Sequence, residues 1–397
     1  MIAFVFPGQG SQKSGMGASF VGHPSWELVE EASDICRIDV ASLLTDTSTD
    51  ELRRTDRAQL AVFVTSMVVL DAVERCGLSP AVVAGHSLGE YTALCAAGVV
   101  SFEDALALVK ERGEGMRLAS EENPGTMAAV IGTDLARAQS IIDSLEDVWI
   151  ANDNAPGQFV IAGRPEAVEQ AAERLKSEGA KKIVPLDVGG AFHTPLMAPA
   201  LGRLAGALDQ VDFRPSDVPV VANVDAQIHS TPEEWRVLLE RQLTSRVCWR
   251  ESVQTLVGLG ARTFVEIGPG GVLTGLVKRV DRTCETVSVD TPESIDALLA
   301  KISASPEPTV APDHAIARVD PCVRVVITPT DGTVDEVLVA GGEAVEPGQA
   351  IAVVGGSVVA SSFGGTVGGV LVSEGQRLSA YDPVAWLRAR DTERGST

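Results

Sequence analysis

The chain has 397 residues, enough for two or three domains, and 45% of them are hydrophobic, which is typical of a folded globular protein. A formal net charge of −22 disfavours nucleic acid and anionic membranes as partners, and no apolar run approaches the roughly 20 residues that span a bilayer. Six scattered cysteines without a Cys-x-x-Cys pair indicate reduced thiols and a cytoplasmic protein. Five histidines without a His-x-x-x-His pair disfavour a metal site.

The first third of the chain alternates strand and helix signals. Residues 2–6 predict a first strand that ends in a glycine turn, 81–84 predict a second, buried strand, and 102–118 predict a helix. The same rhythm resumes after residue 199, with strands predicted at 218–222 and 263–267. Such alternation favours a parallel sheet with helices on both faces.

Residues 125–198 follow a different pattern. Strands are predicted at 126–131, 148–152, 158–162 and 182–188, and helices at 135–145 and 165–177. The order β-α-β-β-α-β is that of a ferredoxin-like unit. We therefore predict a small subdomain at 125–198, inserted into a larger α/β subdomain formed by 1–124 and 199–302.

The character of the chain changes after Ile302, where a Pro-rich, helix-poor linker is predicted at 303–319. Beyond it lies an internal repeat, because Gly332-Thr333-Val334 recurs 33 residues later as Gly365-Thr366-Val367. Two copies of a short-strand unit predict a pseudo-symmetric, all-β barrel-sandwich domain at 320–388.

The pentapeptide Gly85-His86-Ser87-Leu88-Gly89 lies between the strand predicted at 81–84 and a helix that begins near Glu90. A serine on such a sharp turn projects its hydroxyl outward, and the flanking glycines permit the crowded backbone. The helix N-terminus also supplies backbone N–H groups where a negative oxygen could develop. Ser87 is therefore the candidate nucleophile.

The other candidates each have an ordinary structural reading. His193 follows the small subdomain at a predicted junction and could be the base for Ser87, although a lone histidine is by default structural. The turn at Gln9 is either a plain connection or, with the Leu88 amide, an oxyanion hole. Arg112 lies on a mostly apolar helix, either in an ion pair or as a binder of a substrate carboxylate.

Several motifs occur together in one order: Gly8-Gln9-Gly10-Ser11-Gln12, the segment from Gly85 to Tyr91, Arg112 with Met116, Ala191-Phe192-His193, Gln242-Leu243 and Glu266-Ile267-Gly268-Pro269-Gly270. In combination they resemble the malonyl-CoA:acyl-carrier-protein transacylases. The resemblance covers about residues 1–300. It implies an α/β-hydrolase-like large subdomain with a ferredoxin-like small one, in agreement with the predicted elements.

The resemblance implies a ping-pong transfer of a malonyl group from malonyl-CoA to the phosphopantetheine thiol of acyl carrier protein, for fatty acid or polyketide synthesis. Ser87 would hold the acyl group, and His193 would be the general base and acid. The backbone amides of Gln9 and Leu88 would form the oxyanion hole. A serine thioesterase or esterase with the same Ser-His pair is the alternative; it predicts an acidic partner for His193.

The remaining positions of the resemblance concern selectivity and support. Arg112 would bind the malonyl carboxylate, with Met116 beside it, and main-chain carbonyls near Gln242 would steady His193. The Ala191-Phe192-His193 segment resembles a malonyl-selective pattern. Because carrier proteins are acidic, we also expect a local basic rim on this acidic chain, formed by Lys110, Lys181, Lys182, Arg241, Arg246, Arg250, Lys278 and Arg279.

The region 320–388 resembles biotinyl/lipoyl-type domains, which attach their cofactor to a lysine at the tip of a hairpin between the two halves. Here the hairpin is Val353-Val354-Gly355-Gly356-Ser357-Val358, and no lysine follows Lys301. Attachment of biotin or lipoate through the usual amide is therefore excluded, and no bound cofactor is expected. The domain is either a docking or oligomerisation module or a stabilising appendage.

Overall fold

The computed structural model describes residues 1–229, 231–304, 323–328, 330–346, 348–361, 365–378 and 383–388. The chain divides into two units: 1–21, 26–70 and 80–302 form the first, and 22–25, 71–79 and the described residues from 303 onward form the second. Most of the predicted linker at 303–319 lies outside the described residues. Its start is wrong by two residues, because Ser303 and Ala304 still belong to a helix.

The elements up to residue 304 are as follows. The strands are β1 (Ile2–Phe6), β2 (Val82–Gly85), β3 (Thr126–Ile131), β4 (Val148–Ala155), β5 (Gln158–Gly163), β6 (Lys182–Pro185), β7 (Val220–Val221), β8 (Ile228–His229), β9 (Thr263–Ile267) and β10 (Glu285–Val289). The helices are α1 (Glu27–Cys36), α2 (Val40–Thr45), α3 (Thr55–Arg75), α4 (Gly89–Ala96), α5 (Phe102–Glu122), α6 (Leu135–Ile142), α7 (Pro165–Ser177), α8 (Leu201–Leu208), α9 (Pro232–Thr244), α10 (Trp249–Gly258), α11 (Val272–Val280) and α12 (Pro292–Ala304). None of the described helices is long and apolar enough to cross a membrane.

A six-stranded sheet of order β10-β9-β1-β2-β7-β8 forms the centre of the first unit. Its strands pair in parallel except β7 with β8. The central strands β1 and β2 are buried almost throughout, as expected where helices cover both faces of a sheet. The loops that follow β1 and β2 lie side by side at the carboxyl edge, where open α/β sheets bind their ligands.

A second, antiparallel sheet has the order β4-β5-β3-β6, and its strands and helices follow each other as β-α-β-β-α-β, as predicted. One face packs against α6 and α7 through buried apolar side chains such as Val130, Phe159 and Ile161. The opposite face carries Met127, Ala129 and Val160, which line a cleft. This sheet is therefore both a packed layer and one wall of the candidate site.

Prolines shorten two predicted strands. The strand predicted at 182–188 ends at Pro185, and the one predicted at 218–222 pairs only at Val220–Val221, just after Pro219. Proline has no N–H to donate to a ladder, so pairing ends or begins beside it. The short β6 leaves the chain free to turn at once toward His193.

The second unit contains β11 (Val323–Ile327), β12 (Gly332–Val337), β13 (Ala344–Val345), β14 (Ala350–Val354), β15 (Ser357–Ala360), β16 (Gly365–Val370), β17 (Arg377–Leu378) and β18 (Pro383–Arg388). They form two sheets, of order β11-β18-β16-β13 and β15-β14-β12-β17. Strands β11, β12, β13 and β14 of the first repeat correspond to β15, β16, β17 and β18 of the second. Replacing every strand by its counterpart converts the strand order of one sheet into that of the other. The two halves are therefore related by an approximate twofold exchange.

The core of this β unit obeys the same 33-residue repeat. Buried side chains occur in matching pairs: Val334 and Val367, Val339 and Val372, Val345 and Leu378, Ile351 and Val384, and Ala352 and Ala385. The hairpin between β14 and β15 turns through Gly355 and Gly356, whose φ angles are 54° and 77°. Two consecutive positive φ values are typical of a tight two-residue hairpin turn, which glycine adopts without strain.

Three glycines allow the loops after β1 and β2 to touch. A Cβ on Gly89 would lie 2.1 Å from the Phe6 carbonyl oxygen, and one on Gly8 would lie 2.4 Å from the His86 oxygen. A Cβ on Gly85 would lie 1.9 Å from backbone atoms of Gly89. Since backbone atoms cannot move aside as a flexible side chain can, each position requires glycine.

We expect Gly89→Ala to lower the free energy of unfolding by about 2 kcal/mol or more, because the added methyl overlaps the β1 backbone. The matched control is Gly275→Ala on α11, where a Cβ meets no atom within 4 Å. That change should stabilise by roughly 0.5–1 kcal/mol through the lower entropy of the unfolded chain. Urea unfolding of both variants measures the difference, and equal effects would contradict the packing argument.

Candidate active site

Ser87 lies at the turn between β2 and α4 with a φ of 53°, in the left-handed region that non-glycine residues rarely occupy. Its backbone N–H donates to Asn223 Oδ1 at 2.7 Å, and Asn223 Nδ2 donates to the Gly85 carbonyl at 2.7 Å. Asn223 is buried just after β7. Asn223 is not among the candidates predicted from the sequence, although its place after a strand at the carboxyl edge of the sheet is a signal for it.

His193 is in hydrogen-bond contact with Ser87, as predicted. Its Nε2 lies 2.7 Å from Ser87 Oγ, and its Nδ1 lies 2.8 Å from the main-chain oxygen of Gln242. A carbonyl oxygen only accepts, so Nδ1 carries the proton and Nε2 can accept the serine proton. None of the described carboxylates hydrogen-bonds this imidazole, so the acidic partner required by the hydrolase alternative is absent among the described residues.

The electrostatics keep His193 in its basic, neutral form. Burial, together with the positive charge of Arg112, lowers the pKa of His193 to about 3, against a smaller opposing effect of the Gln242 hydrogen bond. An imidazole with this pKa carries no charge at neutral pH, so the unprotonated Nε2 is available as the acceptor of the Ser87 hydroxyl.

The Arg112 side chain is only 1% exposed, although it carries a charge at all ordinary pH values. Its Nη1 donates to Gln59 Oε1 at 2.6 Å, and its Nη2 donates to Gln242 Oε1 at 2.9 Å and to Ser87 Oγ at 3.1 Å. The guanidinium also lies 5.5 Å from the centre of the Tyr91 ring. All these acceptors are neutral, and a buried charge without a directly bound counter-ion indicates a site for an anionic group.

Gln59 contacts the guanidinium directly, and Met116 in turn contacts Gln59. Gln59 Nε2 donates to Met116 Sδ at 3.2 Å, so its Oε1 is turned toward Arg112. The sequence analysis placed Met116 beside Arg112 but missed Gln59. A glutamine within the apolar run of α3 is the available signal, because a buried polar side chain needs a buried partner.

The backbone N–H groups of Gln9 and Leu88 have no hydrogen-bond acceptor among the described residues. The loops that carry them are in contact, since a Cβ on Gly8 would lie 3.6 Å from the Leu88 nitrogen. Two donors without an acceptor on these touching loops are compatible with the predicted oxyanion hole, which stays a prediction.

A cavity of about 240 Å³ opens in front of Ser87. Gln9 and Met116 line it on the side of the large sheet, and Met127, Val160 and Phe192 line it on the side of the small sheet. The neighbouring His86 turns away from Ser87, because its Nε2 lies 2.9 Å from Asn154 Oδ1 and its ring edge meets Trp249. The cleft thus combines one cationic end with a largely apolar wall.

Of the expected basic rim, Arg250 is wrong, whereas Lys110 and Lys278 make contacts within the fold and stay predictions. Lys110 Nζ donates to the Cys36 carbonyl, and Lys278 Nζ donates to the Cys284 carbonyl. Arg250 forms an ion pair of 2.8 Å with Asp153, whose side chain is 2% exposed. The carbonyl contacts leave the charges of Lys110 and Lys278 in place, and both side chains are exposed, whereas the ion pair with Asp153 neutralises Arg250.

The remaining candidates are Lys181, Lys182, Arg241, Arg246 and Arg279. Among the described residues, neither Lys181 nor Lys182 forms an ion pair, and both are exposed. Lys182 pairs with Ile131, two residues from Ala129 on the sheet face that lines the cleft. Side chains of paired residues and of alternate residues share one face, so Lys182 lies at the outer end of that wall.

Residues 3–296 match the family described as the acyl transferase domain. The chain is 42% identical to the malonyl CoA-acyl carrier protein transacylase of Bacillus subtilis (strain 168), over 74% of this chain and 95% of that protein. It is also 42% identical to the enzyme of that name from Escherichia coli (strain K12), over 75% of this chain and 98% of that protein. The chain belongs to the malonyl-CoA–acyl carrier protein transacylase family.

Solved structures of transacylases have the same fold. An acyl carrier protein S-malonyltransferase from Vibrio cholerae superposes with a TM-score of 0.72 at 39% identity, over 75% of this chain and 99% of that one. A malonyl-transacylase solved in complex with a type II PKS acyl-carrier protein gives 0.73 at 39% identity, over 76% and 99%. The transacylase family match ends at residue 296, so it does not include the β unit.

Proposed function

We propose that this protein is an acyltransferase that transfers a malonyl group from malonyl-CoA to the phosphopantetheine thiol of an acyl carrier protein. The observation that carries the proposal is the buried Arg112 guanidinium, 3.1 Å from the nucleophile Ser87. A carboxylate at this distance from an acyl-serine is a feature of malonyl and not of simple acyl groups. The family membership supports the same substrates, since relatives and solved structures are named for them.

In the first half-reaction, Ser87 Oγ attacks the thioester carbonyl while His193 Nε2 takes the serine proton. The negative oxygen of the tetrahedral intermediate lies between the Gln9 and Leu88 amides. The intermediate then breaks its carbon–sulfur bond, and His193 returns the proton to the leaving thiolate. Coenzyme A departs, and malonyl-Ser87 remains.

In the second half-reaction, the phosphopantetheine thiol gives its proton to His193 and attacks the malonyl ester. The carbon–oxygen bond to Ser87 breaks, and the same proton goes to Ser87 Oγ. Both half-reactions use one site and one covalent intermediate, which gives ping-pong kinetics. The Gln242 main-chain oxygen orients His193 throughout, so no carboxylate is needed behind the base.

We expect Arg112→Ala to slow acylation of Ser87 by malonyl-CoA roughly a hundredfold, because loss of a buried partner of a carboxylate costs about 3 kcal/mol. Acylation by acetyl-CoA should change by less than about fivefold, since acetyl has no carboxylate for the guanidinium to bind. Single-turnover loading followed by intact mass spectrometry measures both rates. Ser87→Ala is the control without an adduct, and an equal loss for both acyl groups would overturn the role of Arg112.

We further propose that 1–124 and 199–302 form an α/β-hydrolase-like subdomain, and that 125–198 form a ferredoxin-like one. The mainly parallel six-stranded sheet supports the first assignment, and the order β4-β5-β3-β6 supports the second. A cytoplasmic location is consistent with the buried free thiols of Cys36, Cys248 and Cys284.

The basic rim of the cleft is the proposed contact for the acidic carrier protein. Lys181 and Lys182 are exposed members of this rim next to the small-sheet wall, and they are not used in ion pairs among the described residues. Exposed charges of this kind steer an oppositely charged partner and influence the association rate more than the chemistry.

Reversing both charges in Lys181→Glu/Lys182→Glu should raise the KM for carrier protein at least about fivefold, with the rate of loading from malonyl-CoA unchanged. The matched control is Lys176→Glu, an exposed lysine on α7, which covers the other face of the small sheet. A transfer assay at low salt compares the three proteins. An unchanged KM in the double variant, or an equal rise in the control, would contradict a local rim.

The β unit is proposed to be a biotinyl/lipoyl-like barrel-sandwich domain at 320–388 without an attached cofactor. The twofold relation of its strands supports the architecture. Gly355 and Gly356 form the turn between the two halves, and no lysine follows Lys301, so amide attachment has no acceptor. We assign the domain a docking role toward a partner protein, since such a unit without an arm can act only through its surface.

Deletion of 305–397 should leave malonyl loading and transfer to free carrier protein within twofold of the full chain. The relatives support this expectation, because a match of 301 residues covers 95% of one of them. The oligomeric state and the proteins that co-purify with the full chain should change in the deletion variant, as measured by light scattering and mass spectrometry. No change in either would favour a simple appendage.

A further inference from the structure

Glu90 is a buried carboxylate that the proposed mechanism does not use. Glu90 is only 1% exposed and lies in the first turn of α4, three residues after Ser87. Its Oε2 accepts from Gln242 Nε2 at 2.6 Å, and its Oε1 accepts from the Asn223 N–H at 2.7 Å and from Asn223 Nδ2 at 3.2 Å. These partners are neutral, so the charge of Glu90 is balanced by a group it does not touch.

That group is Arg112, and the Gln242 side chain connects the two. The Gln242 Oε1 atom accepts from Arg112 at 2.9 Å, while its Nε2 donates to Glu90 at 2.6 Å. The amide dipole therefore points its negative end at the cation and its positive end at the anion. Because the effective dielectric constant is low among buried groups, the aligned amide dipole stabilises both the positive charge of Arg112 and the negative charge of Glu90.

Four of the titratable groups near Glu90, namely His86, Tyr91, Arg112 and His193, each keep one charge state near neutral pH. Burial lowers the pKa values of His193 and His86, which stay neutral, and raises the pKa of Tyr91 to about 12. Arg112, on α5, stays charged, and the Asp225 carboxylate after β7 lies next to His229. Burial raises the pKa of Glu90 itself to about 7, against the hydrogen bonds from Asn223 and Gln242 and the charge of Arg112.

We propose that Glu90 is the internal counter-charge of Arg112 in the empty enzyme, and that it takes up a proton from solvent when a malonyl carboxylate binds the guanidinium. The inference rests on the proposed role of Arg112. Two carboxylates that share one buried cation cannot both stay ionised without cost, and Glu90 is the more remote of the two. The proton returns to solvent when malonyl leaves with the carrier protein.

The sign of the resulting pH dependence follows from this linkage. At low pH Glu90 is already protonated, and malonyl meets an uncompensated guanidinium. At high pH Glu90 must first gain a proton, so loading with malonyl becomes less favourable by up to tenfold per pH unit. Acetyl has no carboxylate and no linked proton, while His193 and the oxyanion hole serve both acyl groups equally. The ratio of malonyl to acetyl loading isolates the effect.

The test is this loading ratio between pH 6 and 8.5 in the wild type and in Glu90→Gln. We expect the ratio to fall at least about fivefold in the wild type and to stay within twofold in the variant, whose side chain cannot titrate. A merely structural role of Glu90 would lower both rates and leave the pH slope of the ratio intact. A flat wild-type ratio, or the same slope in Glu90→Gln, would overturn the proposal.

A second measurement needs no variant at position 90. Calorimetry of wild-type loading at pH 8 in two buffers of different ionisation enthalpy counts the protons taken up with malonyl-CoA and with acetyl-CoA. We expect malonyl loading to take up roughly half a proton or more beyond acetyl loading, and equal uptake for both would overturn the inference.

The Arg112→Ala variant distinguishes failure of the Glu90 proposal from failure of the proposed role of Arg112. If Arg112→Ala still prefers malonyl over acetyl, the proposed role of Arg112 is wrong. If the variant loses this preference but the wild type takes up equal numbers of protons with both acyl groups, only the proposed role of Glu90 is wrong.

Discussion

The buried positive charge of Arg112 is the constraint around which the catalytic unit is arranged. Removing a guanidinium from water costs several kcal/mol unless hydrogen bonds replace its hydration. Here the replacements come from separate parts of the chain: Gln59 on α3, Gln242 on α9 and the Ser87 hydroxyl after β2. Gln59 and Gln242 are fully buried, and their contacts with Arg112 explain why two polar side chains lie in the interior. Because the groups in direct contact with this cation are all neutral, the site favours binding of an anionic substrate group.

The same residues make the site a source of instability that the surrounding core must offset. Ser87 and His193 both have positive φ values, of 53° and 60°, which cost energy in a non-glycine residue. Because the pKa of His193 is about 3 in the folded state and 6.5 in the unfolded state, stability falls as the pH drops below 6.5. Because burial raises the pKa of Glu90 from 4.5 to about 7, its contribution falls as the pH rises from 4.5 through 7. At neutral pH the His193 penalty is absent and the contribution of Glu90 is mostly lost, so the two groups have opposite pH dependences between about pH 4.5 and 6.5.

The sequence was sufficient where the signal is local, and insufficient where it depends on contacts between distant parts of the chain. The period of apolar residues predicted most of the strands and helices, and the strand–turn–helix setting predicted that Ser87 lies at a turn, where the structure places it in the cleft. Asn223 and Gln59 were not predicted, because their partners are distant in the sequence: Ser87 is 136 residues from Asn223, and Arg112 is 53 residues from Gln59. The error for Arg250 has the same cause, since its ion pair with Asp153 joins α10 to the small sheet.

The β unit shows how a repeat can encode more than its own strands. Each sheet contains strands from both halves, so one half alone cannot complete a sheet or bury its share of the matching core pairs. The 33-residue repeat therefore implies the twofold relation as well as the strands. It also implies that surface features occur twice, and Leu338 and Leu371, one repeat apart, are 39% and 48% exposed. If the unit docks through these leucines, it offers two equivalent faces, which favours a partner that is itself symmetric or present in two copies.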